Sequence, residues 1–382
     1  MIRKILLLFL AIVSLMSCSK KGIREPVKLS VSAHAELLDS AQAEVVFNQA
    51  KYFPNNTQIA LCIITGEKEK YIGILRQNDS LIYIENRDSI FEIGSITKTF
   101  TGTILAKLAY TGETDLHKPV KDCLPFKLKQ SSFNGKEITL LHLANHTSGL
   151  PFEPGDISTD KNFPFDASNP YKYYSTERLY KYLSNNMAPQ FTPGEKRVYS
   201  NLGAGLLGHI LTLITGQTYE ELLFATVCRS LGMKNTFVKI TAENKKLMVQ
   251  GRNPSGSPVG NTEMNALTGA GAIKSNVSDL ARYIKANMSD TTYFYLAQKP
   301  TVQYNKNFSG ALGWAPYSEN GNVHQGAFGA TGGFSSGLIF ERNKHIGIIV
   351  LTNVSAFLAS RGNYIENLCR GLYDPFIKNS KK

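Results

Sequence analysis

The sequence has few of the features that mark binding to metals or nucleic acids. Its 382 residues contain five cysteines and one tryptophan, and none of the cysteines form a Cys-x-x-Cys pair. The formal net charge is +12, yet no run of basic residues is longer than two. A dispersed basic excess is typical of a solvated surface with a mild attraction to anionic envelopes. We therefore expect no nucleic-acid partner.

Long hydrophobic runs are also scarce. The longest, I-L-L-L-F-L-A-I-V at residues 5–13, follows two basic residues and is too short to cross a bilayer as a helix. It predicts a secretory signal peptide over residues 1–17, followed by L-M-S-C, in which Cys18 resembles a lipidated bacterial cysteine. An ordinary cleavage site that contains a cysteine is the alternative. Residues 18–33 would then be a lipid-anchored linker, and the protein would lie in the cell envelope, in the periplasm on the inner or outer membrane.

The remaining cysteines show no metal-type spacing; they are Cys62, Cys123, Cys228 and Cys369. An exported protein permits disulfides, and the sequence does not choose between pairings. Cys62 stands inside the apolar run I-A-L-C-I-I, which favours a buried free thiol there.

The order of predicted elements indicates the fold. A helix (35–51) and three strands come first, a helical and loop-rich stretch follows, and strands at 311–316, 334–341 and 345–352 precede a closing helix (359–372). The economical packing is an α/β (α+β) fold, with one antiparallel sheet built from both chain ends, flanked by the terminal helices, and a mainly helical domain inserted between its halves. We place the sheet domain at 34–112 and 290–375 and the helical domain at 113–289. Two long loops, 151–174 and 252–264, have the length of functional loops.

Ser95 and Lys98 lie at a predicted junction between a strand and a helix, in the segment F-E-I-G-S-I-T-K. On the first turn of a helix the two side chains share a face, and the backbone N–H groups there stabilise negative charge. A serine becomes a nucleophile when a base takes its proton, and a lysine whose pKa is lowered by burial is such a base. A helix-capping serine beside a snorkelling lysine is the alternative.

A second candidate pair follows about a hundred residues later. Tyr199 and Asn201 are two residues apart in Y-S-N, so in an extended segment both side chains leave the same side of the chain. A phenol near an ammonium ionises more readily and relays a proton, and a carboxamide holds a substrate amide. A half-buried core tyrosine is the alternative.

Together these motifs give the sequence a recognisable pattern. Ser95-x-x-Lys98, then Tyr199-Ser-Asn201, then A-T-G-G-F-S-S before a strand hairpin resembles the serine β-lactamase and DD-peptidase superfamily, nearest to its class C branch of AmpC- and AmpH-like enzymes. The phrases L-A-N-H-T-S-G-L-P, L-G-M-K-N-T and L-G-W agree as well. The resemblance implies that Ser95 is the acylated nucleophile, Lys98 its base, Tyr199 the proton shuttle and Asn201 the ligand of the substrate amide.

The third motif of that superfamily departs from its pattern here. The resemblance implies Lys-Thr-Gly or His-x-Gly on the strand at the cleft edge, where Ala327-Phe328-Gly329 stands. A true His-x-Gly begins three residues earlier, at His324. Either a short insertion displaces it, and His324 binds substrate, or the cation is missing. The backbone of Gly329 or Ala330 remains available as an oxyanion donor, because that role needs no particular side chain.

The resemblance thus implies an exported serine hydrolase that forms an acyl-enzyme with β-lactams or D-Ala-type peptides. It needs no metal or organic cofactor. The alternatives are an esterase of the family VIII type and a lipoprotein that binds penicillin or muropeptides without turnover.

Overall fold

The computed structural model describes residues 30–31, 38–319, 321–355 and 364–378. The predicted signal peptide at 1–17, Cys18 and most of the linker at 18–33 lie outside the described residues. Within that linker, Ser30–Val31 form a short strand.

Fourteen strands occur in the described part of the chain. They are β1 Ser30–Val31, β2 Thr57–Thr65, β3 Lys68–Gln77, β4 Ser80–Tyr83, β5 Phe91–Glu92, β6 Ser132–Phe133, β7 Lys136–Glu137, β8 Lys274–Ser275, β9 Val302–Asn305, β10 Phe308–Gly310, β11 Ala315–Glu319, β12 Asn322–Ala330, β13 Ser335–Glu341 and β14 Ile346–Thr352.

Ten of these strands form one sheet in the order β1-β4-β3-β2-β14-β13-β12-β11-β10-β9. Every neighbouring pair is antiparallel except β1 with β4. Strands from the two ends of the chain meet in the middle, where Val350 of β14 pairs with Leu61 of β2. The predicted fold class is confirmed by this sheet and its flanking helices.

The described helices are α1 Ser40–Ala50, α2 Thr97–Tyr110, α3 Leu140–Ala144, α4 Thr176–Asn185, α5 Asn201–Thr215, α6 Tyr219–Leu223, α7 Arg229–Leu231, α8 Thr268–Gly271, α9 Val277–Ser289, α10 Tyr293–Gln298 and α11 Tyr364–Lys378. Their ends follow the usual capping chemistry. Asp39 caps α1 in a capping box with Gln42, and Gly216 ends α5 in the left-handed conformation at φ 70°.

The sheet separates two apolar cores. All seven residues of β13 and all seven of β14 are buried, because helices cover both faces. Ile348 and Val350 face the terminal helices α1 and α11, whereas Ile349 and Leu351 face the core that continues into the helices between the two halves of the sheet. Helix α2 belongs to this second core, so the residues at its start lie between the sheet and the helices.

In the last third of the chain, one predicted strand begins later than expected and three observed strands were not predicted. The segment predicted as a strand at 311–316 turns at Gly313, where φ is +75°, and the strand itself begins at Ala315. Strands β9, β10 and β12 carry no strong apolar alternation, and β12 contains two glycines, so the sequence pattern did not predict them.

Cys62, Cys123, Cys228 and Cys369 are all free thiols, and the predicted burial of Cys62 is confirmed. Across the described ranges, no helix combines the length and the apolar character that crossing a membrane requires. The same residues contain no cluster of three or more His, Cys, Asp or Glu side chains suited to a metal ion.

Candidate active site

Ser95 sits where β5 gives way to α2. Gly94, in the single 3₁₀ turn between them, has a φ of +48°, and a side chain there would come within 2.7 Å of the backbone nitrogen of Ala330. Only glycine accepts both constraints without strain. This close approach presses the start of α2 against the end of β12.

The amine of Lys98 lies within hydrogen-bonding distance of three oxygen atoms. Its Nζ is 3.0 Å from Ser95 Oγ, 2.8 Å from Asn201 Oδ1 and 2.6 Å from the carbonyl oxygen of Ala270 in α8. The carbonyl and the amide oxygen are acceptors only. They therefore engage two N–H bonds of the amine beside Ser95 Oγ.

Burial sets the protonation of this amine. Lys98 is 4% exposed, and burial lowers its pKa below the usual value for lysine, while the charge and hydroxyl of Tyr199 act in the opposite direction. In the neutral amine, two N–H bonds donate to these acceptors, and the lone pair is left for the hydroxyl groups of Ser95 and Tyr199. The geometry suits removal of the hydroxyl proton by Lys98.

Tyr199 and Asn201 lie at the start of α5, next to Lys98. Ser200 caps this helix by accepting from the N–H of Gly203 at 2.8 Å. The cap holds the neighbouring residues Tyr199 and Asn201 at the N-terminal end of the helix. The ring centroid of Tyr199 is 4.8 Å from Lys98 Nζ. The structure thus brings Ser95, Lys98, Tyr199 and Asn201 together, although about a hundred residues separate the two pairs.

The end of β12 supplies backbone atoms to the site. A methyl group placed on Gly329 would lie 2.9 Å from the backbone nitrogen of Ser95 and 2.0 Å from the carbonyl oxygen of Ile93. Ala330, the next residue, is exposed and adjoins Gly94. The backbone nitrogens of Ser95 and Ala330 therefore lie where the end of β12 meets the start of α2.

His324 does not face the cleft, which corrects the prediction that it binds substrate. Its ring is 3% exposed and lies 5.3 Å from the rings of both Tyr317 and Tyr373, the latter in α11. Burial lowers its pKa to about 4, so it is uncharged at neutral pH. Side chains alternate along a strand, and Ala327, which packs against the other core, occupies the cleft side of β12. Among the described residues, β12 thus brings no cation to the site.

Three further side chains support the site, and the motifs did not single them out. His146 packs its ring 4.4 Å from that of Tyr199, and its Nδ1 accepts from the N–H of Ser200 at 3.2 Å. Tyr171 accepts from Asn201 Nδ2 at 3.1 Å and donates to Glu153 at 3.2 Å. Tyr171 and Glu153 belong to the long loop at 151–174, and loop length was the one signal for them in the sequence.

The histidine four residues before His146 has a structural role. His142 Nδ1 accepts from the N–H of Thr139 and completes the capping box at the start of α3. Burial lowers its pKa to about 4.

Comparison with known proteins identifies the class. Residues 71–366 match the Beta-lactamase family model, so the chain belongs to the β-lactamase family of serine hydrolases. It is 28% identical over 335 residues to a β-lactamase of Pseudomonas fluorescens, covering 77% of this chain and 88% of that protein. It is 31% identical over 245 residues to the D-alanyl-D-alanine-carboxypeptidase/endopeptidase AmpH of Escherichia coli K12, covering 63% of this chain and 60% of AmpH.

Solved structures share the fold. A β-lactamase/D-alanine carboxypeptidase from Yersinia pestis superposes with a TM-score of 0.73 at 24% identity, covering 91% of this chain and 99% of that one. A class C β-lactamase from Rhodobacter sphaeroides gives a TM-score of 0.71 at 20% identity, covering 89% and 100% of the two chains. These structures confirm the predicted fold, and the family model confirms the resemblance to β-lactamases.

Proposed function

We propose that the protein is an exported, lipid-anchored hydrolase that opens β-lactams or cleaves D-Ala-type peptides through an acyl-enzyme at Ser95. The observation that carries this proposal is the 3.0 Å contact between Lys98 Nζ and Ser95 Oγ, in an amine that also contacts Asn201 Oδ1 and the carbonyl oxygen of Ala270. A β-lactamase and a D-Ala peptidase among the relatives support the two substrate classes.

In the acylation step, neutral Lys98 accepts the hydroxyl proton of Ser95 while Oγ bonds to the substrate carbonyl carbon. The carbonyl oxygen becomes an oxyanion that accepts from the amides of Ser95 and Ala330. The C–N bond then breaks, the leaving nitrogen takes a proton from the hydroxyl of Tyr199, and Tyr199 recovers one from the Lys98 ammonium. The substrate amide is held by Asn201.

In the deacylation step, water replaces the leaving nitrogen. Tyr199 takes a proton from the water and passes its own proton to neutral Lys98 as the water oxygen bonds to the ester carbon. The Lys98 ammonium then gives a proton to Ser95 Oγ when the ester bond breaks. The enzyme is restored, and a carboxylic acid is released.

The test is covalent trapping at a defined residue. Purified protein is incubated with fluorescent penicillin and analysed by intact mass and peptide mapping, and turnover of nitrocefin, muropeptides and p-nitrophenyl esters is measured in parallel. We expect one acyl group at Ser95, turnover of a lactam or a muropeptide, and neither in Ser95→Ala. Undiminished activity in Ser95→Ala, or a wild type inert toward lactams and peptides, would refute the proposal.

The anchor requires a separate experiment, because its residues lie outside the described ones. The sequence L-M-S-C at 15–18 supports lipidation of Cys18 after export. Expressed from the full sequence in a bacterium, the protein should label with palmitate and sediment with membranes, whereas Cys18→Ser should do neither. Label retained by Cys18→Ser would show that the lipid is attached elsewhere, and an unlabelled wild type would show that no lipid is attached.

A further inference from the structure

The carboxamide of Asn201 has a second partner besides Lys98. Its Oδ1 accepts from Lys98 Nζ at 2.8 Å, and its Nδ2 donates to the hydroxyl of Tyr171 at 3.1 Å. That hydroxyl donates in turn to Glu153 Oε2 at 3.2 Å. These three contacts form a continuous series of hydrogen bonds from Lys98 to the loop at 151–174.

The chemistry of each group decides which atom donates and which accepts in this series of hydrogen bonds. A carboxylate only accepts, so the single proton of the Tyr171 hydroxyl is committed to Glu153. The phenol oxygen is then an acceptor for Asn201 Nδ2, which leaves Oδ1 as the amide atom that faces Lys98. We propose that Tyr171, held by Glu153, is a positioning residue that fixes the orientation of the Asn201 carboxamide; this inference rests on the proposed role of Asn201 in binding the substrate amide.

Burial and local backbone contacts support the arrangement. Tyr171 is 8% exposed, and burial together with the charge of Glu153 raises the pKa of its hydroxyl, so it remains a phenol at neutral pH. The loop at 151–174 also contacts the start of α5 through its backbone, because the backbone N–H of Asn201 donates to the carbonyl of Phe152 at 2.7 Å. Glu153 is the next residue along. The loop therefore delivers both supporting side chains to the amide.

A removal of the Tyr171 hydroxyl tests the inference, and the same loop offers a matched control. Tyr174 is also buried, and its side chain contacts Asp156, to which its hydroxyl donates at 3.0 Å, and the guanidinium of Arg178. One hydrogen bond corresponds to roughly a fivefold to tenfold effect. We expect Tyr171→Phe to lower kcat/KM for nitrocefin by about that factor, mainly through KM, and Tyr174→Phe to leave it within about twofold of wild type.

Coupling to Asn201 separates positioning from loop stability. In a double-mutant cycle, Tyr171→Phe should have no further effect on kcat/KM once Asn201→Ala has removed the carboxamide. A purely structural contribution of Tyr171 would persist in that background. Additive losses would therefore overturn the inference.

Variants of Glu153 provide a second route that keeps the phenol in place, including for the case in which Tyr171→Phe does not fold. Glu153→Gln retains an acceptor for the Tyr171 hydroxyl and should keep most of the activity, whereas Glu153→Leu removes it and should reproduce the loss of Tyr171→Phe. Equal activity in the two Glu153 variants would contradict the inference. A wild type that does not acylate at Ser95 would refute the proposed function itself. An active wild type, together with equal kcat/KM values in Tyr171→Phe and Tyr174→Phe, would refute this inference alone.

Discussion

The contact between β12 and the start of α2 makes Gly329→Ala the sharpest probe of the oxyanion hole. A methyl group at this position would lie 2.0 Å from the Ile93 carbonyl oxygen, 2.6 Å from Ser336 Oγ and 2.9 Å from the Ser95 nitrogen. Two of these atoms are backbone, and Ser336 Oγ is held by donating to Ile93 O at 2.8 Å. The strand must therefore move away from Ser95 to accept the methyl group.

The expected magnitudes follow from that displacement. Overpacking of this kind costs about 1–3 kcal/mol of unfolding free energy, which a typical domain tolerates. Loss of one oxyanion donor lowers the rate by about 10²–10³-fold. We expect Gly329→Ala to remain folded with a lower Tm and to acylate about 10²–10³-fold more slowly.

Gly326, on the same strand, is the matched control. A methyl group there would have its nearest contact with Phe328, at 3.6 Å, which is ordinary packing. Stopped-flow acylation by fluorescent penicillin, with Tm measured on the same samples, should show Gly326→Ala within about twofold of wild type. Acylation at the wild-type rate in a folded Gly329→Ala would refute the reasoning, because the donors would then not depend on this close approach.

Three further predictions concern two buried bases, Lys98 and His324. Lys98→Met should lower the acylation rate by about 10²–10⁴-fold through loss of the general base, whereas Lys107→Met on the same helix should leave the rate unchanged; comparable rates in the two variants would argue against Lys98 as the base. His324→Phe should leave nitrocefin turnover unchanged, because the ring lies away from the cleft, and a large rise in KM would restore His324 to the substrate site. The pKa of His324 is about 4 in the folded protein and about 6.5 when unfolded, so the unfolded chain binds the extra proton as pH falls through 6.5. His324→Phe should therefore reduce the stability lost between pH 7.5 and 5.5 by about 1 kcal/mol in urea titrations, and an identical loss in both proteins would contradict the sign of the shift.

The sequence predicted the fold well where local patterns are strong. A helix was expected after Ser95, and α2 begins there and buries Phe100, Ile104 and Leu108, which repeat every four positions. Strands β13 and β14 are continuous apolar runs and were predicted almost to the residue. Strand β12, which borders the site, has little apolar content. It contacts the start of α2 through backbone atoms and close packing. A pattern of side chains does not report such a role.

The sequence by itself determined the residue types and the spacing of the two pairs, Ser95 with Lys98 and Tyr199 with Asn201. Each spacing is short, so local backbone geometry sets which side of the chain its members leave. Only the tertiary structure decided what surrounds them: that His324 packs beneath α11, that Ala327 takes the cleft side of β12, and that Tyr171 supports Asn201. These outcomes depend on strand register and on a loop docking across long sequence separations, and a register shift of one residue exchanges the two faces of a strand.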